Sequence, residues 1–169
     1  LPIYHLRWFA EEARRGYGRI VPHQAPGKRH LIMKQPVGPV AAIAPWNFPL
    51  VLSVRKVAPA LAAGCTVILR PASQTPICAT KLAEAVEEAQ LPAGVFQLIA
   101  GPARPIVGEF MENEKLAKIT FTGSTEVGKK LVEQSASKLT KLSLELGGHA
   151  PVIAFADADL DAAVNAALV

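Results

Sequence analysis

Apolar positions recur along this chain with two periods, and the switches between them mark the elements. Over residues 4–16 the spacing is helical, with Tyr4, Trp8 and Phe9 near one face and Arg or Glu elsewhere. This predicts an amphipathic helix ended by Gly16 and Gly18. Residues 19–21 and 30–34 predict short extended stretches around a turn at Pro26-Gly27. After Pro36 the texture changes and then stays constant. Apolar β-rich runs at 40–44, 66–69, 95–99, 118–122 and 141–146 alternate with helical stretches at 50–63, 75–90, 105–112 and 126–135. Gly64 ends the first of these helices, and Thr75-Pro76 opens the second as a capping hydroxyl followed by a first-turn proline. A further extended run is predicted at 151–155, and Asp157 or Asp159 caps a last helix. The chain thus divides into residues 1–35, a helix and extended arm, and residues 36–169, an α/β domain. Strand, helix, strand in repetition means right-handed crossovers and a mostly parallel sheet covered on both faces. In such sheets ligands sit beyond the carboxyl ends of the strands.

Composition narrows the class. With 169 residues, 50% of them hydrophobic and 19% charged, the chain can bury a sizeable core and is not a disordered tail. The uncharged run 35–54 approaches the roughly 20 residues of a bilayer span, but Pro36, Pro39, Pro45 and Pro49 break it, so no membrane segment is expected. The net charge of +4 is unevenly placed. Residues 1–35 carry seven basic groups against Glu11 and Glu12, and the remainder is slightly acidic. That arm lacks interleaved aromatic platforms for bases, so a solvated face or subunit contact is expected and nucleic acid is not. The opening residues do not read as a basic-then-apolar leader, and Cys65 and Cys78 form no disulfide framework; a reducing, cytoplasmic setting is expected. His5, His23, His30 and His149 lack metal-ligand spacing, so no metal site is expected.

Four segments that follow strands carry candidate chemistry. In Pro45-Trp46-Asn47-Phe48-Pro49 two prolines stiffen a turn. Asn47 there either donates its amide to a developing oxyanion or caps the next helix. Glu145, in an otherwise apolar strand before Gly147-Gly148, is either a general base with a carboxyl raised by desolvation or a strand-end acid paired with a lysine. In Phe121-Thr122-Gly123-Ser124-Thr125-Glu126-Val127-Gly128 a strand runs into a helix start of the kind that binds phosphate. Its pattern is G-x-T-x-x-G rather than the G-x-G-x-x-G dinucleotide fingerprint. In Arg70-Pro71-Ala72-Ser73-Gln74-Thr75-Pro76 a cation with neighbouring hydroxyls either holds a ribose or its phosphate, or is a plain βα loop.

In their order and spacing these four segments resemble the motifs of aldehyde dehydrogenases, a likeness that extends to the helix Trp8-Phe9-Ala10-Glu11-Glu12-Ala13. The resemblance implies an incomplete aldehyde dehydrogenase fold, with a doubly wound, Rossmann-like dinucleotide-binding domain over residues 36–169. It implies that Asn47 donates to the oxyanion of the thiohemiacetal and thioester, and that Glu145 activates the hydrolytic water. Gly123 and Ser124, with Thr122 beside them, would meet the cofactor pyrophosphate. Trp46 and Gly147 would line the nicotinamide region. Arg70 stands where the family usually has a ribose-binding lysine, and Ser73 where NAD-preferring members often carry glutamate. Serine removes a carboxylate that would repel a 2′-phosphate, and arginine adds a permanent charge, so NADP is expected, with NAD usable.

The Ser53-Val54-Arg55-Lys56 and Ala60-Leu61-Ala62-Ala63-Gly64-Cys65-Thr66 segments are most similar to succinate-semialdehyde dehydrogenases. There an arginine at the position of Arg55 binds the distal carboxylate of the aldehyde; the other reading is a solvated helix arginine. Succinate semialdehyde is the expected substrate, with glutarate semialdehyde or another short aldehyde, or a non-catalytic dinucleotide-binding module, as alternatives. The family's nucleophilic cysteine would lie beyond the Glu145 motif, and neither Cys65 nor Cys78 matches it. The chain is therefore expected to be a piece of a longer, homo-oligomeric enzyme and inactive alone.

Replacing Ser73 with Glu is expected to shift the ratio of kcat/KM values toward NAD. An unchanged ratio, measured with both cofactors, would remove the NADP reading.

Overall fold

The computed structural model describes residues 1–168. Its centre is β3 (Val40–Ile43), every residue of which is buried. Its sequence, Val-Ala-Ala-Ile, lacks a polar face because helices cover both sides. Around it runs a five-stranded parallel sheet in the order β5-β4-β3-β6-β7. The flanking strands are β4 (Val67–Arg70), β5 (Phe96–Leu98), β6 (Lys118–Thr122) and β7 (Lys141–Glu145). From β3 the chain winds outward through β4 to β5, then returns to the other side of β3 as β6 and continues to β7. The connections are α2 (Pro49–Ala62), α3 (Pro76–Glu88), α4 (Ala103–Glu112) and α5 (Thr125–Ser135).

Alternation along the strands sorts the core into two layers. Ala42, Ala44, Val67 and Leu69 face α2 and α3, packing against Val54, Val57, Ala58, Ala79 and Leu82. Ala41, Ile43, Ile119 and Phe121 face α4 and α5, packing against Phe110, Met111, Leu116 and Leu131. The chain leaves α2 through Gly64, whose φ of +77° lies in the left-handed region that favours glycine.

The N-terminal part comprises α1 (Pro2–Ala13) and an antiparallel hairpin of β1 (Arg19–Pro22) and β2 (Arg29–Ile32). Only part of the expected aromatic face of α1 is used. Phe9 packs against the α2 and α3 layer, whereas Tyr4 and Trp8 are exposed. The helix also ends two to three residues before Gly16, with Arg14 as its C-cap.

Two other expectations change. Thr75 occupies the N-cap of α3 with Pro76 next, but its hydroxyl makes no capping bond and is buried without a partner. Residues 151–155 form no strand, because β7 pairs with β6 alone and no neighbour among the described residues offers them a ladder. Val152, Ile153 and Phe155 are exposed, as are Leu160 and Val164 of α6 (Leu160–Ala167). Asp159 is the cap of α6, accepting a hydrogen bond from the N–H of Ala162 at 3.1 Å. Among the described residues no helix is long and apolar enough to cross a membrane.

Leu69 is fully buried in the middle of the sheet. Leu69→Ala is expected to cost the protein about 2–5 kcal/mol in denaturant unfolding. A loss below about 1 kcal/mol would contradict this placement of the core.

Candidate active site

The strand order reverses between β3 and β6, so the loops leaving these neighbours diverge to opposite sides of the sheet. A crevice opens at that point beyond the carboxyl ends. The loop after β3 carries Trp46 and Asn47; the turn after β6 carries Gly123 and Ser124; β7 ends at Glu145 beside them. The resulting cleft, about 400 Å³, is lined by Trp46, Asn47, Arg55, Thr122, Gly123, Ser124, Glu145 and Gly147, with Pro45, Leu52 and Leu146. Among the site residues expected from sequence, only Arg70 and Ser73 stand apart from it.

Asn47 is exposed to the cleft. The capping reading fails, since the N-cap of α2 is Phe48 and no side chain caps that helix. The turn after β6 is built more tightly than its sequence suggests. Gly123 N–H donates to the backbone carbonyl of Glu145 at 3.1 Å, so it is not free for a phosphate. The Ser124 hydroxyl accepts from the N–H of Val127 at 3.3 Å and caps α5. The anion-facing donors of this helix start are therefore the N–H groups of Thr125 and Glu126, which precede the first intrahelical bond. Glycine is required at 123 by its neighbour: a Cβ there would overlap the ring of Phe121. Next to Gly147 and Gly148 there is open space, with Thr125 Oγ1 the nearest atom to a Cβ on Gly147, at 3.7 Å.

Glu145 departs from expectation. Its side chain is exposed rather than desolvated, and no ion pair holds it among the described residues. Its neighbour on the sheet face is a residue the sequence reading passed over, Lys56. In the β6–β7 register Thr120 lies opposite Ser143 and Thr122 opposite Glu145, so these side chains share the face toward α2. Lys56 reaches down from α2 onto that face, is 5% exposed, and donates to Thr122 Oγ1 at 2.7 Å and Thr120 Oγ1 at 3.4 Å. Burial lowers its pKa to about 8; the carboxylate of Glu145 opposes this shift, and the nearby Arg55 reinforces it. The two threonine hydroxyls hold the ammonium group on the sheet face, where it feels the Glu145 carboxylate. The sequence did contain a signal. Lys56 follows Ser53 by three positions and precedes Val57, which places it on the buried stripe of α2.

Arg70 and Ser73 form a second cluster at the end of β4. Arg70 is 8% exposed, and its Nη2 donates to Ser73 Oγ at 3.1 Å and to the carbonyl of Gly101 at 3.2 Å. Burial lowers the pKa of this guanidinium. Its Nε and the hydroxyl of Thr75 are both buried without partners. Unsatisfied buried donors of this kind fit a site that accepts a polar ligand, and a dinucleotide's ribose and phosphate oxygens match them. The residues present therefore suit a dinucleotide, which the start of α5 and the Arg70 cluster would hold.

The sequence pattern of the aldehyde dehydrogenase family matches residues 2–169. The chain belongs to that family. It is 54% identical over 164 residues to the glutarate-semialdehyde dehydrogenase of Pseudomonas aeruginosa, covering 97% of this chain and 34% of that protein. It is 53% identical over 163 residues to the NADP-dependent succinate-semialdehyde dehydrogenase of Escherichia coli K12, covering 96% and 34%. The solved structure of an aldehyde dehydrogenase from Brucella melitensis biovar abortus superposes with a TM-score of 0.93 at 53% identity, covering 97% of this chain and 34% of that one. This aldehyde dehydrogenase chain thus spans about a third of the length of the relatives it matches.

Because the folded pKa of Lys56 lies below its usual 10.5, the unfolded state binds more protons between about pH 8 and 10.5. Folding stability should therefore rise with pH in that window through this residue. In Lys56→Met the residue cannot titrate, so the stability difference between wild type and variant should move in favour of wild type from pH 7 to pH 10. A pH-independent difference in denaturant titrations would contradict the burial of a titrating lysine.

Proposed function

We propose that this chain is the dinucleotide-binding part of an NAD(P)-dependent aldehyde dehydrogenase that oxidises a short aldehyde carrying a distal carboxylate. The observation that carries the proposal is the shared cleft, where an amide donor, a carboxylate, a helix start and an arginine converge. When bound, the cofactor accepts the hydride that leaves the aldehyde carbon. On this reading Asn47 donates its amide N–H to the carbonyl oxygen as negative charge gathers there, a contribution of about 3 kcal/mol in comparable sites. On the same reading Glu145 takes a proton from the hydrolytic water, and the nearby ammonium group of Lys56 favours its charged form. The open space at Gly147 and Gly148 lets a planar ring approach the backbone.

Arg55 selects the substrate class. It is exposed on α2 and lines the cleft that holds Asn47 and Glu145. A guanidinium fork matches a carboxylate in bidentate fashion. The relatives named above include one glutarate-semialdehyde and one succinate-semialdehyde dehydrogenase. They support short dicarboxylic semialdehydes as a class better than succinate semialdehyde alone, and the narrower expectation from sequence is widened accordingly.

Cofactor preference rests on the second cluster. Ser73 accepts from Arg70 and holds the guanidinium in place without adding negative charge. Arg70 supplies a cation there that no acidic side chain neutralises among the described residues, so the site favours NADP over NAD on charge grounds.

In the full-length enzyme, Arg55→Ala is expected to lower kcat/KM for succinate and glutarate semialdehyde by about 10- to 100-fold, the value of a lost charge-assisted pair. An uncharged aldehyde of similar length should lose far less. Equal losses across the series would overturn the assignment of Arg55.

A further inference from the structure

We infer that Thr120 is a positioning residue of the site: with Thr122 it holds the Lys56 side chain at the Glu145 end of the sheet face under α2. This inference rests on the reading of Glu145 given above, on which Thr120 acts through Lys56. Side chains two residues apart on a strand share a face, so the β6–β7 register sorts the face toward α2 into three rows. At the amino end Lys118 lies opposite Lys141. Thr120 opposite Ser143 comes next, and at the carboxyl end Thr122 lies opposite Glu145. Lys56 comes down onto a ladder with two cations at one end and a carboxylate at the other. Successive rows lie about 7 Å apart, so a shift of one row decides which charge the ammonium group meets.

The hydroxyls make that choice. Among the described residues the buried Lys56 ammonium group has two hydrogen bonds, to Thr122 Oγ1 at 2.7 Å and to Thr120 Oγ1 at 3.4 Å. Glu145 on β7 and Arg55 on its own helix act on its charge, and Lys118 on β6 lines the same cavity. β3, which also lies under α2, carries no charged side chain, and no charge of α1 or α3, the helices packed on α2, acts on Lys56. Thr120 is half-buried and lines the cavity of about 390 Å³ that holds Lys118 and Ser143, not the cleft of Asn47 and Glu145. Its hydroxyl therefore bears on the reacting groups through Lys56. Without that hydroxyl the buried ammonium group keeps one acceptor, which favours the neutral amine and frees the side chain to move along the face.

The test is a double-mutant cycle in the full-length enzyme with Thr120→Val, Lys56→Met and the double variant, and with Thr120→Ser as the conservative replacement. Valine keeps the β-branched shape that suits a strand and removes only the hydroxyl, so the fold should persist. Near pH 8, Thr120→Val should lower kcat about 2- to 10-fold, the value of one hydrogen bond, with KM unchanged. Thr120→Ser should restore most of that loss, and in the Lys56→Met background Thr120→Val should lower kcat no further. Lys56 titrates near pH 8, and lower still in Thr120→Val, so the loss should fade by pH 10, where the amine is neutral in both proteins. A loss that persists in Lys56→Met, or that is the same at both pH values, would overturn the inference. A thermal arm does not depend on catalysis: at pH 7, Thr120→Val should lower Tm more in wild type than in Lys56→Met, and the two shifts should converge at pH 10. Equal shifts at pH 7 would overturn the role of Thr120. Unchanged kcat in Glu145→Gln would count against the reading of Glu145 instead, and the thermal arm would still decide whether Thr120 holds Lys56.

Discussion

The reversal of winding at β3 is the constraint on which the site depends. A strand with Ala at its two central positions can be covered closely on both faces, so β3 becomes the sheet's midpoint and its neighbours must be filled from two directions. Once β4 and β6 flank it, the loops that leave β3 and β6 cannot cover the same space. The Asn47 turn and the Ser124 turn therefore border a crevice that packing does not close. The chemistry is placed there by topology before any single side chain is chosen.

Polar contacts then set the details on the face toward α2. The register that puts Thr122 opposite Glu145 also puts both beside Lys56. Burying an ammonium group costs free energy unless it is hydrogen-bonded, and the two threonine hydroxyls supply those bonds. The result joins a core position of α2 to the carboxylate at the end of β7.

Much of the architecture was legible in the sequence, because buried parallel strands read as short apolar runs and the prolines and glycines punctuate them. The five core strands and the helices between them appear where the pattern places them, with ends shifted by a few residues. Residues 151–155 misled because an apolar run signals a strand only if a neighbour exists to pair with it. In the site, Asn47 and Glu145 stood out as polar groups in apolar settings. Lys56 did not, since a lysine beside an arginine on a helix reads as surface, and only its spacing from Ser53 along the buried stripe of α2 marks it as interior. The bond from Gly123 to the Glu145 carbonyl was equally invisible, being a backbone contact between segments far apart in sequence.

The ring of Phe121 beneath Gly123 has a further consequence. Phe121 belongs to the core layer under α4 and α5, yet its ring also occupies the space that any side chain at 123 would need. The ligand-facing turn and the interior are therefore one steric unit. Variation at these two positions should be correlated across descendants of this gene, a smaller residue at 121 being the permit for a larger one at 123.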